Sequence, residues 1–293
     1  MRTGTKAKAP LCYKARVLLL LIACAGASPD AEEQSSPKEP VVRHEKLDPV
    51  MLQQAQRELV APSPSETRLA VEKAGLGQLG ELVPDRGYKL DIPDKDRVAL
   101  RTGVLLADVV LTVSDAETGQ LVARLRDLQT GLGVLGATEK MVATVGQVAD
   151  QLENDSITRD DLLKTLDEAM GGAQTDLGEY GRFVQAGAWL AGSNLVARAV
   201  LADFEPSGVV TRPWVNNAAM LLQQPEVARY YLDYIRSEEG RTKVGADTAD
   251  ALEATLATLL EVSEKSWHGM RARDVQEDVE LIQRETQKIL DLI

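Results

Sequence analysis

The chain has 293 residues, with 33 Lys and Arg against 45 Asp and Glu, a formal charge of −12. That balance disfavours nucleic acid and anionic lipid headgroups as direct partners. Hydrophobic residues make up 44% and aromatics only 4%, with Ala, Leu and Val prominent, which favours packed helices over a β-sandwich.

The first 23 residues carry Arg2, Lys6, Lys8, Lys14 and Arg16 and no acid, and residues 17–23 are all apolar. A basic stretch followed by an apolar one is a secretion signal rather than part of a fold. Seven apolar residues are too few for a membrane-spanning helix, which needs roughly 20. The string Leu21-Ile22-Ala23-Cys24 resembles the bacterial lipobox. The resemblance implies that Cys24 becomes the lipidated first residue of the mature chain. Ala25, rather than Asp, after the cysteine implies the outer membrane, with the domain facing the periplasm. A soluble export signal stays open, because Ala25-Gly26-Ala27 also suits cleavage before Ser28. Cleavage at Cys24 leaves 28 basic and 45 acidic residues, a charge of −17, so attachment must rest on acyl chains. The cysteines are Cys12 and Cys24, so the mature chain has no internal disulfide and no cysteine-based metal site.

Residues 28–46 are polar, carry Pro and Ser, and lack apolar periodicity, so 24–46 reads as a flexible tether, with the polar stretch spanning about 25 Å. Residues 47–293 read as one all-helical domain. Asp48-Pro49 opens a helix to about Val60. Ser63-Pro64-Ser65-Glu66 is a capping box for a helix to about Ala74. Residues 75–93 read as irregular, and Asp94 caps an apolar helix over 95–113. Ser114 and Glu117 form a second capping box, opening a helix over 115–135. Thr138 and Thr158 open helices to about Glu153 and over 159–170. A long apolar helix is expected over 175–202. Pro213 and Pro225 each mark a helix start, with Gly240 closing a helix over 226–238. Asp247 and Asp274 open the last two helices, to about Lys265 and Leu292.

No segment shows strand alternation, so the expected fold is an all-α multi-helix bundle with two central apolar helices, about 95–113 and 175–202. Thr102-Gly103-Val104-Leu105-Leu106-Ala107 resembles Ala186-Gly187-Ala188-Trp189-Leu190-Ala191. We read the echo as chance in an Ala/Leu-rich chain, with duplication as the alternative. In either case the small residues let the two helices approach closely. Val275, Val279, Ile282, Thr286, Ile289 and Ile293 form a narrow apolar seam that should dock the last helix on its own domain.

Three groups of polar or aromatic residues stand out. Asp108 lies in one apolar helix and Arg198 in the other, and a buried charge needs a partner. The expectation is an ion pair of Asp108 with Arg101 or Arg198. Eight of the eleven aromatics fall within 55 residues. Trp189, Trp214, Tyr230, Tyr231 and Tyr234 are therefore the candidate groove for a ligand or partner, with a thick stretch of core as the plain alternative. Asn216, Asn217, Gln223 and Gln224 lie nearby and read as solvated.

The two histidines, His44 and His268, have no metal-ligand spacing. No nucleophile, phosphate-loop or dinucleotide motif occurs. The sequence implies no enzyme, no cofactor and no metal. Residues 180–197, together with 101–113, weakly resemble all-helical bacterial lipoproteins of unknown function, a resemblance that brings no activity. The expected role is a lipid-anchored binding or scaffolding domain. Its partners are the membrane, through the N-terminal lipid, and an envelope protein. The alternative is a periplasmic small-ligand or peptide-binding protein.

Overall fold

The structure is a computed structural model and describes residues 61–293 apart from 77, 78, 85 and 204–211. The lipobox, the tether and the helix expected after Asp48 lie outside the described residues. Among those that are described there are helices and no strands, so the fold is all-α.

The first helix, α1 (Pro64–Lys73), starts where the capping box places it. Ser63 Oγ accepts from the Glu66 N–H at 3.2 Å, and Glu66 Oε2 accepts from the Ser63 N–H at 2.8 Å. A short 3₁₀ turn at Leu79–Leu82 interrupts the irregular stretch that follows. Asp94 caps α2 (Lys95–Thr112) by accepting from the Arg97 N–H at 3.0 Å. The next helix, α3, begins only at Thr118 and runs to Leu135. Ser114 does not cap it. Asp115 instead accepts from the Gly80 N–H at 2.7 Å, which ties this corner to the 3₁₀ turn. Gly136, at φ +82°, ends α3 and leads into α4 (Glu139–Glu153), capped by Thr138. α5 (Arg159–Met170) is capped by Thr158.

The expected helix over 175–202 is broken. A single turn, α6 (Ala173–Asp176), and a 3₁₀ turn at Gly178–Tyr180 precede α7 (Gly181–Ala202). Gly178 at φ +54° makes the break. Then come α8 (Arg212–Leu222), α9 (Pro225–Arg236), α10 (Glu238–Val244), α11 (Ala246–Glu264) and α12 (Ala272–Leu292). Gly240 does not close α9. Ser237 starts α10 by accepting from the Gly240 N–H at 3.1 Å. No described helix is long and apolar enough to cross a membrane.

The α2/α7 pair is the centre of the fold, and it makes the most extensive contact between any two elements. From Val98 to Thr112 every residue of α2 except Arg101 is buried. The two helices touch backbone to backbone. A Cβ on Gly103 would sit 1.9 Å from Val184 O, and one on Gly187 would sit 2.0 Å from Leu100 O. Only glycine fits these two positions.

The α3–α4 hairpin packs on α2, with α5 on α4. α12 packs on α7 through its seam, in which Val275, Val279, Ile282, Thr286, Ile289 and Ile293 are all buried. A polar knot fixes this docking. Asn194 Nδ2 donates to Gln283 O at 2.9 Å and to Thr286 Oγ1 at 3.0 Å, and Asn194 Oδ1 accepts from Arg198 Nε at 3.0 Å. α11 joins α12 to α9. Trp267, fully buried in the turn before α12, donates to Asp278 Oδ2 at 3.0 Å.

Gly103→Ala and Gly187→Ala should each destabilise the protein by about 3 kcal/mol or more, because backbone rather than a side-chain end must move. Gly133→Ala, exposed on α3 with nothing near its added Cβ, should stabilise by about 0.5–1 kcal/mol. Thermal melts of the three variants check both signs.

Candidate functional site

Four of the five aromatics singled out from the sequence come together. Tyr230, Tyr231 and Tyr234 on α9 meet Trp189 on α7 around a cavity of about 20 Å3, also lined by Phe183, Leu100 and Leu252. The Trp189 and Tyr231 rings lie 5.7 Å apart, and the Phe183 and Tyr234 rings 5.9 Å, edge to face. That space holds one water at most. The cluster is core packing rather than an open groove. Trp214 does not line it and donates to Val200 O at 3.0 Å. Tyr231 is buried with its hydroxyl unpartnered, and burial pushes its phenol well above the ordinary range.

The ion-pair expectation needs correction. Asp108 is buried, but its partner is Arg86, whose Nε donates to Asp108 Oδ2 at 3.2 Å. Arg86 lies on the irregular segment before α2, a position that helix periodicity cannot place. Arg101 instead donates to the backbone oxygens of Ile293 and Lys89 and stacks over Tyr88, 5.6 Å from the ring centroid. Arg198 serves the α7–α12 knot, reaching Gln287 Oε1 at 2.9 Å. Tyr88 donates to Leu290 O at 3.2 Å. Residues 86–90 thus buckle α2 to the end of α12. Burial pushes the Asp108 carboxyl up to about 6 against the opposing Arg86 and Arg124 charges, and it pushes the Tyr88 phenol up to about 12.

A larger feature than this cavity lies elsewhere. A groove of about 1060 Å3 runs between α1, α5, α7 and α8 over a floor that α2 helps to form. Leu106, Val110, Val184 and Ala188 lie in it, and Leu69 and Met220 flank it. Leu69 is 47% exposed and Met220 57%, among the few large apolar side chains exposed on the described surface. Trp189 Nε1 donates to Gln224 Oε1 at 2.8 Å, so Gln224 joins the groove wall to the aromatic cluster. The neighbouring amides are also used structurally: Asn217 donates to Ala74 O at 3.1 Å, and Gln223 donates to Lys265 O. Sequence reasoning missed the groove. Its residues come from separate helices, and the one local signal was the exposed apolar pair Leu69 and Met220.

Among the described residues, no group of three or more His, Cys, Asp or Glu is placed to hold a metal ion. No protein-family model, no curated protein and no solved structure matches the chain.

Asp108 holds its proton more tightly in the folded state than in the unfolded one. Stability therefore falls as pH rises from about 4 to about 6 through this group, by up to about 3 kcal/mol. Asp108→Asn keeps an acceptor for Arg86 without the buried charge. It should gain up to that amount at pH 7 and nothing at pH 4. Asp108→Ala leaves the Arg86 donor unsatisfied and should cost about 2–4 kcal/mol at pH 7. Urea unfolding of the three proteins at pH 4, 5, 6 and 7 checks both outcomes.

Proposed function

We propose that this chain is a lipid-anchored protein of the bacterial cell envelope whose all-α domain binds or scaffolds another envelope component. The observation that carries the binding role is the groove of about 1060 Å3 with Leu69 and Met220 exposed at its edges. Water-exposed apolar side chains gathered at one concave feature are characteristic of an interaction site. The anchor rests on Leu21-Ile22-Ala23-Cys24 after a basic and then apolar stretch, and Ala25 supports the outer membrane. The reading involves no catalysis. A periplasmic small-ligand or peptide-binding protein is the second reading. The aromatic cavity of about 20 Å3 gives it little room, so it too would use the groove.

The test is a photo-crosslinking amino acid at position 220 of the full chain, expressed with its signal in a bacterial host and followed by fractionation and intact mass. Wild type should sit in the membrane fraction with a lipid-sized mass increment on Cys24, and Cys24→Ser should lose both. Position 220 should give light-dependent adducts that position 273, 85% exposed on α12, does not. A soluble wild-type chain beginning at Ser28 would remove the anchor. Equal labelling at 220 and 273 would remove the groove.

A further inference from the structure

The groove's charge and apolar lining point to one class of partner. Its acidic side chains gather at the start of α1. Glu66 accepts from the Ser63 N–H, and Asp167 of α5 accepts from Ser65 Oγ at 2.5 Å, so local bonds hold both carboxylates in place. Among the described residues, no lysine or arginine lines the groove. The floor is aliphatic, supplied by Leu106, Val110, Val184 and Ala188. Met220 at the edge is unbranched and adapts to irregular surfaces. Leu69 and Met220 leave the rim of the groove exposed, whereas a small ligand is normally enclosed over most of its surface.

We propose that the groove receives an amphipathic α-helix of a partner protein, with its apolar face on the exposed Leu69 and Met220 above the floor of Leu106, Val110 and Val184, and with Lys or Arg at its edge opposite Glu66 and Asp167. This rests on the groove being the partner site. The mode is helix-in-groove docking, in which apolar anchors at helical spacing give affinity. The excess of acid over the whole chain speeds the encounter with a cationic segment, and the two fixed carboxylates set its orientation.

The test uses two fluorescein-labelled 18-residue helical peptides with the same Leu/Ala face, one with Lys and one with Glu on the polar face. Both are titrated against the full chain by fluorescence anisotropy. The Lys peptide should bind at least about tenfold more tightly than its Glu twin. Met220→Glu should weaken the Lys peptide by about tenfold even though it adds a negative charge. Glu66→Gln with Asp167→Asn should weaken it about threefold or more, with circular dichroism melts confirming that each variant is folded. An affinity for the Lys peptide that holds or rises in Met220→Glu overturns the proposal, because attraction to the acidic surface at large would do the same. Tighter binding of the Glu peptide also overturns it. If neither peptide binds, but the neutral fluorophore N-phenyl-1-naphthylamine binds in a Met220→Glu-sensitive way, the helix partner fails and the groove as a site survives. If Met220→Glu alters no probe, both fail.

Discussion

The backbone contact between α2 and α7 sets the rest of the structure. At Gly103 and Gly187 neither helix carries a side chain, so carbonyl groups lie where a Cβ would otherwise be. Two helices this close leave little room between them, and α2 is buried from Val98 to Thr112 except at Arg101. Their remaining faces become the platform for the other helices: α3 covers α2, and α12 covers α7. The two cysteines, Cys12 and Cys24, lie outside the described residues, so helix packing supplies the stability of the helical domain. The polar residues that do enter the interior are mostly satisfied, by the Asn194–Thr286 knot, the Asp108–Arg86 pair and the Trp267–Asp278 bond.

The groove follows from the same arrangement. The central pair is covered along much of its length, and α1, α5 and α8 form a cleft with Leu106, Val110 and Val184 at its floor and Leu69 and Met220 exposed at its edges. The apolar pattern that makes α2 and α7 central helices thus also supplies the floor of the proposed site. The aromatic residues, by contrast, fill space between α7 and α9 and give that half of the domain its core. In this reading they hold the groove wall through Trp189 and Gln224 and are not the recognition surface themselves.

Features set by local physics were legible in the sequence. Ser63 and Glu66, Asp94, Thr138 and Thr158 act within one turn of their own helix, and each caps as its spacing implies. The central helices follow from their apolar character, although the second starts only at Gly181, and the seam of α12 follows from periodicity. Features set by distant contacts were not legible. Ser114 and Glu117 have capping-box spacing, yet Asp115 is drawn to Gly80 and α3 starts later. Gly240 looks like a stop signal, but it lies within α10, where an added Cβ would sit 2.1 Å from Tyr234 O. The partner of Asp108 sits on an irregular segment, and the groove is assembled from helices far apart in the chain. The clustering of aromatics in sequence drew attention to a site that packing has closed.

The most direct test of the central claim is methyl NMR of the full chain, labelled at Met, Leu and Val, during titration with the Lys-bearing helical peptide. The account predicts that shifts concentrate at Met220, Leu69, Leu106, Val110 and Val184, while Leu252 and Leu256 beside the aromatic cavity stay in place. Shifts centred on those two leucines, or scattered over the acidic surface without a focus at Met220, would contradict it.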